Sequence, residues 1–64
     1  MKTEDIIEIL TVQFQEQFPS FDGDAIRAIV TAKVQSIARL QGAVLLDEAS
    51  HLVFETITTM VDCE

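Results

Sequence analysis

Apolar residues recur every three or four positions along most of this chain. Ile7, Leu10, Phe14 and Phe18 form the first such run, the spacing that gathers side chains on one face of a helix. The pattern predicts a helix from about Glu4 to Phe18 with Thr3 as its N-cap and Glu4 and Asp5 in its first turn, where the helix dipole favours negative charge. Gln13, Gln15, Glu16 and Gln17 give this helix its wet side. Ile9 and Val12 fall opposite the stripe, where a helix packed on one face only would carry polar residues.

Pro19 marks the clearest boundary, because it pushes Phe18 out of helical geometry and cannot donate the next hydrogen bond. Asp22 or Asp24 can cap a second helix from about Ala25 to Leu40, with Phe21 placed to pack back across the turn. Ile26, Ile29, Val30, Ile37 and Leu40 are expected to form its apolar stripe. A neighbouring strip, Ala25, Ala28, Ala32 and Ser36, is small enough to let another helix approach closely. Lys33 disturbs the pattern, since it falls between Val30 and Ile37 on the apolar side. A lysine there either covers the core's edge with its stem while the ammonium reaches water, or pairs with a carboxylate.

Gln41-Gly42 reads as a helix stop, because glycine accepts the left-handed conformation that ends many helices. Ala49, Leu52, Val53, Ile57 and Met60 then predict a third helix over about Glu48 to Val61. It starts either near Ala43, or at Glu48 with Asp47 as its cap and Ala43 to Leu46 as an apolar connector. Residues 43–61 carry a competing signal. The stretch from Leu52 to Val61 is rich in β-branched residues, so a hairpin of Ala43 to Leu46 with Leu52 to Val61 is the alternative. The fold class is therefore all-α, a small three-helix bundle, with two helices plus a C-terminal β-hairpin as the second choice.

Composition narrows the class further. The chain has 64 residues, 48% of them hydrophobic and 23% charged, which is too apolar for disorder and too interrupted by charge for a membrane span. This length allows one domain, residues 1–64, and one core. Two glycines and one proline leave little material for the turns of an all-β fold. The opening Met1-Lys2-Thr3-Glu4-Asp5 lacks a basic segment ahead of a small-residue cleavage site, which points to a cytoplasmic protein.

Eleven carboxylates against four lysines and arginines give a formal net charge of −7. That balance disfavours nucleic acid and anionic membranes as partners, since both reward basic patches. Glu4, Asp5, Asp22, Asp24, Asp47 and Glu48 all fall at predicted helix starts, where caps and the dipole account for them. Glu8, Glu16, Glu55, Asp62 and Glu64 remain to make any extended negative face of the kind that imitates phosphates.

Candidate chemistry is sparse. His51 is the only histidine, and it reads as a solvated residue beside Glu55. Asp47, Glu48 and His51 could meet a metal on one turn, but first-turn carboxylates more often serve the helix start. Cys63 is the only cysteine, so no internal disulfide or thiolate zinc cluster is expected; it reads as a tolerated terminal thiol, with a bridge to a second chain as the sharper alternative. No glycine-rich phosphate loop and no nucleophile–base pair can be assembled. No enzyme, catalytic residue, cofactor or metal is expected.

The run Phe18-Pro19-Ser20-Phe21-Asp22-Gly23-Asp24-Ala25-Ile26-Arg27, followed by Ala28-Ile29-Val30, resembles two kinds of small three-helix domain. Ubiquitin-binding CUE domains carry Met-Phe-Pro before helix two and a dileucine in helix three, to which Phe18-Pro19 and Leu45-Leu46 are similar. Gln17 stands where that family has methionine, and a helix running through to Leu40 is longer than its second helix. The region from Leu10 to Ile37 also looks like small bacterial three-helix dimerisation domains, with a Phe-Pro turn and an Ile/Val-Arg start to helix two. That resemblance implies self-association and carries over no functional residues.

The expectation is a non-enzymatic protein–protein interaction or dimerisation module, most simply a homodimer. Ile9, Val12, Ala28, Ala32, Lys33, Phe54 and Val61 are its candidate interface residues. The alternative is an inhibitor from a phage or mobile element whose acidic surface occupies a basic site on a host protein. Salt separates the two, because apolar docking survives ionic strength that weakens charge competition.

Overall fold

The structure, a computed structural model, describes residues 2–62. It consists of α1 (Thr3–Gln17), α2 (Gly23–Gln41) and α3 (Leu46–Asp62), with no strand among the described residues. A helix of α2's 19 residues is about 28 Å long at 1.5 Å per residue, and the molecule measures 34 × 20 × 17 Å. The helices therefore lie side by side, and the two short connections fold the chain back on itself.

The first connection is built by Pro19. Phe18 leaves helical geometry at φ −123°, its N–H still donating to Phe14 O at 2.8 Å, and Phe21 N–H donates to Phe18 O at 3.1 Å. This closes a four-residue turn with proline at its second position, where its fixed φ is favourable. Asp22 then caps α2, its carboxylate accepting from Asp24 N–H at 3.2 Å, so the aspartate alternatives resolve to Asp22. Gly42 stops α2 at φ 76°, its N–H donating to Ala38 O at 2.8 Å.

Two expected caps move. Thr3 is the first residue of α1, and Lys2 occupies the cap position without a side-chain bond. Asp47 lies inside the first turn of α3, because the helix begins at Leu46, with Ala49 N–H donating to Leu45 O at 3.0 Å.

The core is one cluster. Ile6, Leu10 and Phe14 come from α1, Ile26, Val30, Val34 and Ile37 from α2, and Ala49, Val53 and Ile57 from α3. Helix α2 is the centre of the fold, since α1 and α3 both pack on it more extensively than on each other. On α1 the buried stripe is shifted by one position, with Ile6 and Thr11 buried and Ile7 half-buried. Thr11 can enter because its hydroxyl donates to Ile7 O at 2.6 Å, so no polar atom is stranded.

The hairpin alternative for residues 43–61 is not what forms. Thr56 donates to Leu52 O at 2.9 Å, Thr58 to Phe54 O at 2.9 Å and Thr59 to Glu55 O at 2.8 Å. These bonds back to the carbonyl one turn earlier let threonine sit in a helix with its hydroxyl satisfied. Ala49, Val53 and Ile57, at four-residue spacing, supply the buried face that outweighs β propensity.

Candidate interaction surface

Burial sorts the apolar residues of each helix into those the fold uses and those it leaves outside. On α1, Val12 is 53% exposed and Ile9 is also exposed. They lie at i and i+3 on one face, on a helix that carries Glu4, Asp5, Glu8 and Glu16 and no lysine or arginine. On α2, Ala28, Ala32 and Ser36 are exposed, and Ala25 is half-buried. From Ala28 to Ser36 the strip of small residues is therefore left open to solvent.

On α3, Phe54 and Val61 both stand partly in solvent. Phe54 has a second role that the pattern did not show. The four phenylalanines of the chain form one aromatic cluster with Phe18 at its hub. Phe14 stacks on Phe18 at 6.2 Å and 14°, Phe21 meets it edge-on at 6.4 Å and 74°, and Phe54 lies tilted at 6.2 Å and 43°. Such pairs each contribute about 0.5–1.5 kcal/mol beyond burial. The cluster fastens the α1–α2 turn to the middle of α3 and leaves one edge of Phe54 uncovered.

Lys33 is half-buried. Among the described residues it forms no ion pair, and no buried side-chain nitrogen or oxygen lacks a partner. Its ammonium therefore reaches water while its stem lies beside the core, the snorkelling arrangement.

Three more apolar residues stand in solvent. Leu40, expected in the stripe of α2, is 84% exposed. It stands about 60° around the helix from Ile37 and in the last turn before Gly42, beyond the reach of the core. Val34, which was not expected inside, is fully buried in its place. Met60, expected on the core stripe of α3, is partly exposed, and Leu45 is 66% exposed in the second connection. The signal available for Leu40 was its position next to the helix stop, where a side chain has no following turn to pack beside it.

The polar residues that could carry chemistry are dispersed. His51 Nε2 lies 3.0 Å from Glu55 Oε1, and both side chains are largely in solvent. Gln41 Nε2 donates to Glu48 Oε1 at 3.0 Å, joining the end of α2 to the first turn of α3. Glu48 and His51 are thus turned to different partners, and among the described residues no three of His, Cys, Asp and Glu gather into a group able to hold a metal. Cys63 and Glu64 lie outside the described residues. No described helix is long and apolar enough to cross a membrane.

Phe18-Pro19 and Leu45-Leu46, the two elements shared with CUE domains, fall in and beside the two different connections at opposite ends of α2. Leu46 is half-buried against the core and only Leu45 is presented to solvent. No protein-family model, no curated protein and no solved structure matches this chain.

Proposed function

We propose that this chain is a small non-enzymatic protein–protein interaction module that dimerises or docks a protein partner through apolar side chains outside its own core. One observation carries the reading: each of the three helices keeps large apolar residues in solvent after the core is complete, among them Val12, Leu40 and Phe54. A domain this small retains little spare stability, and covering these residues against a partner adds apolar burial that its own core lacks. The acidic surface and the absence of a basic stripe favour a cytoplasmic protein partner over nucleic acid or an anionic membrane.

The test has two arms: sedimentation equilibrium up to high micromolar protein, and capture from the source cell on the immobilised chain at 0.5 M salt. A dimer mass, or a stoichiometric protein retained at that salt, supports the reading. A monomer throughout with nothing retained would sink it.

A second reading has an observation of its own. Ile9 and Val12 are ringed on α1 by carboxylates with no cation among them, a surface suited to blocking a basic site on another protein. A partner captured at low salt and released as salt rises would favour this inhibitor over apolar docking.

A further inference from the structure

Charge is divided sharply among the helices. Helix α1 holds Glu4, Asp5, Glu8 and Glu16 without a cation, and α3 holds Asp47, Glu48, Glu55 and Asp62 without a lysine or arginine. Arg27, Lys33 and Arg39 all belong to α2, whose one carboxylate is Asp24. None of the three makes an ion pair among the described residues. Two copies of a chain at −7 repel each other wherever α1 or α3 faces its counterpart. On the outward face of α2 they can meet without setting those carboxylates against each other. The helix's own cations, Arg27, Lys33 and Arg39, oppose the contact unless the order of the two helices brings Arg39 to Asp22 and Asp24.

That face is also bare. Ala28, Ala32, Ser36 and Arg39 are exposed along it, with Leu40 beside them at 84%, because α1 and α3 both pack on the side of α2 that carries Ile26, Val30, Val34 and Ile37. Its two ends carry opposite charge: Asp22 and Asp24 stand exposed at the start, Arg39 at the last turn.

We infer that a second copy of this chain covers this face, with the two α2 helices antiparallel about a two-fold axis near Ala32. An antiparallel pair centred there sets Ala28 opposite Ser36 and Arg39 opposite Ala25 of the other copy. Arg39 then reaches the partner's first turn, where Asp22 and Asp24 wait. The same symmetry repeats this contact at the other end, so the charge complementarity is satisfied twice. Small residues at the crossing allow an axis separation near the short end of the usual 8–10 Å, and Leu40 is covered by the partner's first turn. A closed two-fold contact of this kind leaves no sticky end to propagate. The seam deepens the interaction-module reading and rests on it.

The decisive experiment places a thiol on the axis. Ala32→Cys on a Cys63→Ser background should form a disulfide-linked dimer under mild oxidation, whereas Val12→Cys on the same background, on the outward face of α1, should not. Ala32→Arg should weaken dimerisation by about tenfold or more in sedimentation equilibrium, with an unchanged far-UV circular dichroism spectrum because the residue is exposed. Arg39→Asp should weaken it as well, and adding Asp24→Arg should restore it. A wild-type monomer at high micromolar concentration overturns the seam. So does a dimer that Ala32→Arg leaves intact, or one that cross-links at Val12→Cys and not at Ala32→Cys. A dimer insensitive to Ala32→Arg, or a monomer that retains a partner in the capture arm, leaves the interaction-module reading standing while the α2 seam falls.

Discussion

Phe18 and Phe54 hold their ring centroids 6.2 Å apart, so the residue that ends α1 is also a contact of α3. Because Phe18 also touches Phe14 and Phe21, its ring secures the first turn and the third helix together. Phe18→Ala should lower stability by about 2 kcal/mol, below the 3–5 typical of a fully buried phenylalanine because Phe18 is only half-buried. For a domain of this size that is a fall in Tm of about 10 °C. Phe54→Ala should cost about half as much. Thermal unfolding in which the two variants rank in the reverse order would refute the hub role of Phe18.

The two glycines should respond in opposite directions to alanine. Gly42 sits at φ 76°, where any side chain is strained, so Gly42→Ala should destabilise by about 1 kcal/mol. Gly23 begins α2 in ordinary helical geometry, and an added methyl meets only the amide end of the Gln15 side chain, which can swing away. Gly23→Ala should be neutral or stabilising by about 0.5 kcal/mol. Urea titration of both variants distinguishes these outcomes, and equal losses at the two positions would contradict them.

Val34 and Leu40 form an informative pair because burial reverses their apparent importance. Val34→Ala removes methyl groups from a side chain with no solvent exposure and should cost about 2 kcal/mol. Leu40→Ala should change the stability of the monomer by less than about 0.5 kcal/mol. Stability measured at low protein concentration, where self-association does not contribute, is the check. A larger loss for Leu40→Ala would mean that the last turn of α2 carries packing not seen here.

Lys33→Leu should leave the fold intact and be neutral or slightly stabilising, since the ammonium reaches water and has no described carboxylate partner to orphan. A loss above about 2 kcal/mol in thermal unfolding would reveal a buried pair.

The helical class and both chain reversals were legible because their signals are local. Proline at 19, glycine at 42 and an aspartate before α2 act on the nearest backbone groups, whatever the tertiary fold does. The buried face of each helix was less legible. Spacing identified Leu10, Phe14, Ile26 and Val53, but the stripe on α1 turned by one residue toward Ile6 and Thr11, because periodicity leaves the direction of a neighbouring helix undetermined. Leu40 could be told from Val34 by its place beside the helix stop, but that Val34 faces the core follows from where α1 and α3 lie, which no pattern on α2 alone contains. Among the candidate surface residues, Ile9 and Val12 could be read as exposed because they contradict an otherwise regular stripe. Leu45 had no regular stripe to contradict. The aromatic cluster joins α1 to α3 across the fold, and only the fold could bring those rings together.

The alternation of charge from helix to helix also bears on how the chain finds its topology. An acidic first helix, a cationic second and an acidic third mean that each helix meets attractive charge in its immediate sequence neighbour, while α1 and α3 repel. A compact chain that paired α1 directly with α3 would face like charge and the closure of a loop spanning all of α2. Pairing neighbours first avoids both, keeps contacts local and favours rapid folding. On this charge pattern high salt should slow folding more than it lowers final stability, which folding rates and urea midpoints measured at low and high salt would check.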